Sequence, residues 1–297
     1  MNSKTGKIAV LSAVALGTAA GMFAGKKIVD KVEWFKNYCK IVDYKTADLT
    51  QTDIGEDEDI KLTAHRGYRA VAPENTLPAY IEAGKAGYWG AECDIYMTRD
   101  GVWILHHDPI TYRLMDKNRV VEACTYDQLM KLTYVKGSNI DKYPDLKICT
   151  FEEYIKVCAE YGMHAVIELK YNRNQKHYDK LLEIIKKYGV DATFIAFSFE
   201  DLVALRKLCD NDLYYLVDDI KDEQIELAKT LENCGISYDG NHEKNVANDC
   251  EMVRKCHEAG LKTATWAVDD VERIQTLYRV GTKYITTNSV TYKEVAQ

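Results

Sequence analysis

"GAECDIYMTRDGVWILHH", residues 90–107, is the stretch on which the fold turns. Two apolar runs flank Arg99, Asp100 and Gly101, a gap far shorter than the dozen or so residues that a parallel crossover needs. Asp-Gly is instead a favoured hairpin turn, so residues 102–107 read as an antiparallel strand returning beside residues 90–96. Elsewhere short apolar runs at 60–65, 164–170, 193–198, 213–217, 236–240, 263–268 and 283–287 alternate with helical patterns such as "FEEYIKVCAEYG", "YDKLLEIIKKYG" and "DCEMVRKCHEAG". These close on glycine, as helix C-termini prefer. Alternation of this kind predicts a parallel sheet covered by helices. Setting the hairpin strand aside leaves eight strands, the number that closes a (β/α)8 barrel. The expected fold class is therefore α/β: a TIM barrel with an extra β-hairpin strand, preceded by an N-terminal hydrophobic helix.

That helix is expected from "IAVLSAVALGTAAGMFAG", residues 8–25, a run without charge flanked by Lys4, Lys7, Lys26 and Lys27. As a helix it would extend about 27 Å, enough to span a bilayer core. A cleaved signal segment is the alternative, but such segments have shorter apolar parts followed by a small-residue site, not by lysines. Gly17, Gly21 and Gly25 recur every four residues, which would let two such helices approach closely and self-associate. Lys31, Lys36 and Lys40 favour the cytoplasmic side for the domain downstream of the helix. The expected organisation is a membrane anchor or signal segment at 1–27, an amphipathic stalk and acidic linker at 28–59, and the barrel at 60–297, giving a single-pass membrane protein.

The formal charge of −7 owes most to residues 48–59, "DLTQTDIGEDED", with six acidic and no basic residues. The remainder is near neutral and carries no nucleic-acid footprint. The nine cysteines are odd in number and hold no CxxC pair, so they read as buried reduced thiols.

In a barrel of this class, chemistry sits at the C-terminal ends of the strands. The first strand ends in His65, Arg66 and Gly67. The second carries Glu92 and Asp94 two apart, hence on one face, and "VIELK" does the same with Glu168 and Lys170. The hairpin brings His106, His107 and Asp108 back toward the same rim. Taken singly, each has an ordinary reading: a hydrogen-bonded strand-end histidine, a solvated strand face, a Glu–Lys ion pair. Together they are a convergence. Three carboxylates in one place repel unless a cation joins them, and all-oxygen ligation suits Mg2+ or Ca2+. Arg66 offers a planar fork to a phosphate and Lys170 a point charge. His65 and His107 titrate near neutrality, so one would take a proton from the nucleophile and the other give one to the leaving oxygen. His106, alternating with His107, is expected to face the barrel wall or a loop. His164, His177, His242 and His257 carry no assigned role.

With "AHRG", "PENTLPAY", "AECDIYMTRDG", "ILHHD", "TFEEYI", "VIELK" and "TATWAV" in this order, the chain resembles the glycerophosphodiester phosphodiesterase family from about Lys61 to its C-terminus. The resemblance implies metal-dependent hydrolysis of a glycerophosphodiester to glycerol 3-phosphate and an alcohol. It implies His65 and His107 as the acid/base pair, Glu92, Asp94 and Glu168 as metal ligands, and Arg66 and Lys170 on phosphate. Glu74 and Asn75 would order a loop beside the metal, and Trp266 would wall the glycerol or alcohol. The implied route is attack by the substrate's own glycerol 2-hydroxyl, giving a cyclic phosphate that water opens. The sequence departs from the family near its end: where the family has a segment like "DGIITDRP", this chain has "TKYITTNSV", a change expected at the pocket rim. Two other readings stand beside the main one: lysophospholipase D-like cleavage of lysophospholipids at the membrane, and a non-catalytic membrane-tethered lipid-binding module.

Overall fold

The computed structural model describes residues 59–170, 174–240 and 246–292, together with the backbone of residues 51–52. The expected hydrophobic helix, its Gly17, Gly21 and Gly25, and nearly all of the stalk lie outside the described residues. Among the described residues no helix is long and apolar enough to cross a membrane.

The eight parallel strands are β1 (Lys61–Ala64), β2 (Gly90–Met97), β4 (His164–Leu169), β5 (Ala192–Ala196), β6 (Leu213–Val217), β7 (Cys234–Asp239), β8 (Thr263–Trp266) and β9 (Tyr284–Thr287), with β3 (Trp103–Leu105) outside them. Each barrel strand pairs with the next in chain order, β9 returns to β1, and β1 pairs with β2, so the barrel is closed. Gln51–Thr52 pair in parallel with Thr291–Tyr292 as a separate two-residue ribbon.

β2 is buried along all eight residues because both of its edges are used. Its start pairs with β1, residues Gly90–Ile95 pair with β4, and its last three residues, Ile95–Met97, pair antiparallel with β3. The hairpin loop is Arg99-Asp100-Gly101, closed by Thr98 N–H donating to the Val102 carbonyl at 2.9 Å. Gly101 takes φ 87°, the left-handed conformation such a three-residue loop needs. At Gly90 a Cβ would lie 2.8 Å from the His164 carbonyl, so only glycine permits the β2–β4 approach there.

Alternation then sorts the side chains. Ala91, Cys93 and Ile95 face outward with Leu62, Ala64, Ile167, Phe194 and Ile236 in the core beneath the helices. Fully burying one such large apolar side chain stabilises by roughly 1.5–3 kcal/mol. Glu92 and Asp94 are left on the inward face. Deeper in the barrel, Val166, Ile195, Tyr214 and Leu216 form a small apolar plug with Trp89 and Trp266. The helices are α1 (Leu77–Lys85), α2 (Tyr126–Leu129), α3 (Phe151–Tyr161), α4 (Tyr178–Tyr188), α5 (Phe199–Arg206), α6 (Asp222–Ala228), α7 (Val246–Glu258) and α8 (Val271–Arg279). α3 starts with a reciprocal Thr150/Glu153 capping box and stops at left-handed Gly162. Residues 106–150 interrupt the βα alternation between β3 and α3, and bury a second apolar cluster around Leu114, Val121, Leu129 and Ile148. The eight cysteines among the described residues are free thiols, seven of them buried.

Candidate active site

The site begins where β1 ends. His65 continues the β1–β9 ladder through its N–H to the Thr287 carbonyl, 2.9 Å. Arg66 then adopts φ 58° and Gly67 φ 77°. A Cβ at Gly67 would lie 2.7 Å from that of Ala79, so the glycine lets the turn press against α1. The left-handed turn at Arg66 directs its backbone N–H to Glu92 Oε2 at 2.8 Å. The loop beyond it closes at Asn75, also left-handed at φ 54°, whose side chain clips Asp94: Nδ2 donates to Asp94 Oδ2 at 2.7 Å, and Asp94 N–H donates to its Oδ1 at 3.1 Å. Tyr80 holds the same Oδ1 from α1 at 2.9 Å. Asn75 therefore orders the loop against a candidate metal ligand, as the family resemblance implies.

Glu92 and Asp94 from β2 meet Glu168 from β4, with ligand oxygens from all three within 4.8 Å of one another. All three are buried. Burial, then the charges of Asp94 and Glu168, push the Glu92 carboxyl well above its usual range. Burial lifts Glu168 to about 7 against the pull of Lys170. At Asp94 burial acts in the same direction but is overridden by Lys170, His107 and Arg66, which hold it well below the ordinary value. Lys170 Nζ bridges the pair, 2.9 Å from Asp94 Oδ1 and 2.6 Å from Glu168 Oε1. Glu92 Oε1 is buried with no hydrogen-bond partner. An orphaned carboxylate oxygen beside two further carboxylates is a donor set that fits a hard divalent cation.

The two histidines differ in what backs them. His65 Nε2 lies 4.0 Å from Glu92 Oε2, and Nδ1 faces Asn288 Oδ1 at 2.7 Å. The Asn288 amide nitrogen donates to Asp269 Oδ2 at 2.7 Å, so its oxygen is the atom turned to the imidazole and can only accept. His65 is thereby assigned the Nδ1–H tautomer, with the lone pair on Nε2. His107 Nδ1 is 2.7 Å from Asp108 Oδ1, and a carboxylate fixes the same tautomer there. Burial and then Arg66 depress both imidazoles. Arg69 adds to this at His65, which falls well below its ordinary value, and Lys170 at His107, which falls to about 4.

Behind them runs a buried ionic network. Glu74 receives Arg66 Nη1 at 2.9 Å, Arg69 Nη2 at 2.9 Å and both terminal nitrogens of Arg113. Burial opposes ionisation of Glu74, but the three guanidiniums hold it well below the usual carboxylate range. Arg113 Nε also donates to Asp108 Oδ2 at 2.8 Å.

The structure thus brings Arg66, Lys170, Glu92, Asp94 and Glu168 together, with His65 beside Glu92 and His107 near Asp94. Trp266 stands at the C-terminal end of β8, half-buried, with the exposed ring of Phe197 edge-on at 5.8 Å. His106 is fully buried, its Nε2 3.4 Å from the Ile110 carbonyl. His164 stacks on Trp89 at the opposite barrel end, and His242 lies outside the described residues. Sequence reasoning missed Arg69, Arg113, Asp269 and Asn288. The departing stretch "TKYITTNSV" does more than shape a rim, because its Asn288 touches His65. Only the mismatch with the family pattern pointed at it.

The glycerophosphoryl diester phosphodiesterase family profile matches residues 65–291, a span that includes every candidate site residue. The chain belongs to that family. Within the family, human glycerophosphodiester phosphodiesterase 1 is 34% identical over 129 residues, 43% of this chain and 38% of the human protein. The match thus spans well under half of that relative's length. A glycerophosphodiester phosphodiesterase from Caldanaerobacter subterraneus subsp. tengcongensis is 25% identical over 241 residues, 76% of this chain and 93% of its own. An Oleispira antarctica phosphodiesterase, solved in complex with the product sn-glycerol-3-phosphate, superposes with a TM-score of 0.70 at 25% identity, covering 77% of this chain and 93% of that one.

Proposed function

We propose that the chain is a metal-dependent phosphodiesterase that hydrolyses glycerophosphodiesters to glycerol 3-phosphate and an alcohol. One observation carries the reading: three buried carboxylates share a space within 4.8 Å, beside a histidine whose Nε2 is left with its lone pair. Glu92, Asp94 and Glu168 would hold Mg2+ or Ca2+, which when bound supplies Lewis acidity toward a phosphoryl oxygen. Arg66 and Lys170 orient the phosphodiester by charge and hydrogen bonding. His65 removes the proton of the attacking hydroxyl at Nε2, and the product sn-glycerol-3-phosphate of the Oleispira antarctica relative is in keeping with a glycerol-bearing substrate. His107, held through Nδ1–H by Asp108, presents Nε2 to the leaving oxygen. A bound phosphodiester anion offsets Arg66 and Lys170, the charges that depress His107, and so favours the protonated form that the donor role needs. The attacking group in this reading is the glycerol 2-hydroxyl, with a cyclic phosphate opened later by water.

A second substrate class is supported by Phe197, which is 42% exposed beside Trp266 at the barrel mouth. Such an apolar lip suits the alkyl part of a lysophospholipid, and the membrane anchor proposed at residues 1–27 would keep the barrel of residues 60–297 near that lipid. The test is to incubate the full chain in detergent with glycerophosphocholine, glycerophosphoethanolamine, glycerophosphoinositol and lysophosphatidylcholine, with Mg2+, with Ca2+ and with chelator. Metal-dependent release of glycerol 3-phosphate from the glycerophosphodiesters is expected, and of lysophosphatidic acid and choline from lysophosphatidylcholine if the second substrate class holds. His107→Ala should abolish it while leaving metal affinity intact, and undiminished turnover by that variant would overturn the acid/base assignment.

A further inference from the structure

The segment between β3 and α3, which already carries His107 and Asp108, also delivers Arg113 into the ionic network behind the site. Arg113 ends the short helical turn Thr111–Arg113, is 8% exposed, and sits beside the segment's own apolar cluster. Its guanidinium engages two carboxylates at once. Nε and Nη2 donate to Asp108 at 2.8 and 3.3 Å, and Nη1 and Nη2 donate to Glu74 at 3.0 and 2.5 Å. Each carboxylate in turn holds a group at the site: Asp108 Oδ1 faces His107 Nδ1 at 2.7 Å, and Glu74 Oε1 receives Arg66 Nη1 at 2.9 Å. His107 comes just after the hairpin, whereas Arg66 comes just after β1, so the two arrive from different strands.

We infer that Arg113 is a positioning residue that sets His107 and Arg66 in register with each other, acting through Asp108 and Glu74. The planar fork is what makes this possible. Its donors point in fixed directions in one plane, so a carboxylate on each edge is oriented as well as neutralised. With both Asp108 oxygens engaged by Arg113, the carboxylate cannot rotate without losing those bonds, and the imidazole hydrogen-bonded to it is aimed in consequence. Lysine supplies the charge but no fork. The inserted segment, which already carries His107 and Asp108, thereby also supplies the residue that holds them in place. This inference rests on the proposed phosphodiesterase reading and extends it to a residue that does not touch substrate.

The experiment compares Arg113→Lys, Asp108→Asn and the double variant with the parent in the full chain. Turnover of glycerophosphocholine is measured together with the 15N imidazole resonances of His107 and His65. Arg113→Lys is expected to lower kcat by about 10- to 100-fold, as loss of an orienting partner typically does, with a smaller change in KM. The double variant should lose less than the sum of the two single losses, since Arg113 reaches His107 only through Asp108, while the loss beyond Asp108→Asn alone reports its second branch through Glu74 to Arg66. The His107 Nδ1 resonance should move while that of His65 stays. If Arg113→Lys does not fold, Arg113→Ala supplemented with guanidinium replaces it, and recovery of kcat is the expected result. Parent-like kcat with an unmoved His107 resonance, or losses that add fully, would overturn the inference. The resonance arm needs no turnover. A parent inert on every glycerophosphodiester would sink the functional reading and still leave the positioning of His107 decided.

Discussion

The Nδ1 atom of His65 lies 2.7 Å from Oδ1 of Asn288, a residue 223 positions further along the chain. Asp269 grips the other end of that amide and is itself held by the Thr287 hydroxyl at 2.7 Å and the Asn288 N–H at 2.7 Å, so the amide cannot flip without losing its bond to a fixed carboxylate. A neutral amide therefore orients His65, whereas a carboxylate orients His107.

Asn288→Ala should release the imidazole of His65 to both tautomers. The expected loss in kcat is about 10- to 100-fold, in line with removal of outer hydrogen-bond partners elsewhere. The 15N shifts of His65 should move toward tautomer averaging. Asn288→Asp removes the donor to Asp269 and sets a second carboxylate against it, and the added negative charge of the pair beside Nδ1 favours the imidazolium. The acidic limb of the pH–rate profile should then shift to higher pH; a profile that stays in place would remove His65 as the group titrating there.

Metal affinity should fall as pH drops through about 7, because Glu168, lifted to about 7, and Glu92, lifted well above its usual range, must lose protons to become ligands. Calorimetry in two buffers of different ionisation enthalpy should detect proton release on binding. Glu168→Gln should weaken binding and reduce that release.

The same carboxylates predict a stability effect of opposite sign from the usual one. A carboxyl whose folded value is raised favours folding below its unfolded value and loses that benefit as pH rises through the folded value. For Glu168, moved from 4.5 to about 7, the loss is on the order of 3 kcal/mol at alkaline pH. Without metal, Glu168→Gln should therefore raise the melting temperature at pH 8 and leave it nearly unchanged at pH 4. Saturating metal should stabilise the parent and do less for the variant. Glu74 behaves in the ordinary sense. Its value is depressed, so its contribution is present above the unfolded value and fades as pH falls through the folded one.

Phe197→Ala tests the aromatic lip. Removing an exposed ring that meets an alkyl chain should lower kcat/KM for lysophosphatidylcholine by about 10-fold, within the 1–3 kcal/mol range of such contacts. Turnover of glycerophosphocholine, which has no such chain, should stay at the parent level. Equal losses on both substrates would remove the lysophospholipid reading.

Local sequence determined the barrel and the strand-borne part of the site. Strand period 2 alone places Glu92 and Asp94 on the inward face of β2 and Cys93 outward, and the Asp100-Gly101 turn leaves room only for a hairpin. Capping residues and C-terminal glycines mark the helix ends in the same local way. Which side chains meet was decided only by tertiary structure. Arg113 reaches Glu74 across 39 residues and Asn288 reaches His65 across 223, through loop backbone that no periodicity describes. Barrel closure is the physical reason: joining β9 to β1 brings the two ends of the domain to one rim. Lys170 shares a strand face with Glu168, which the sequence shows, but its contact with Asp94 exists because β2 and β4 pair in the register that sets Asp94 opposite Glu168.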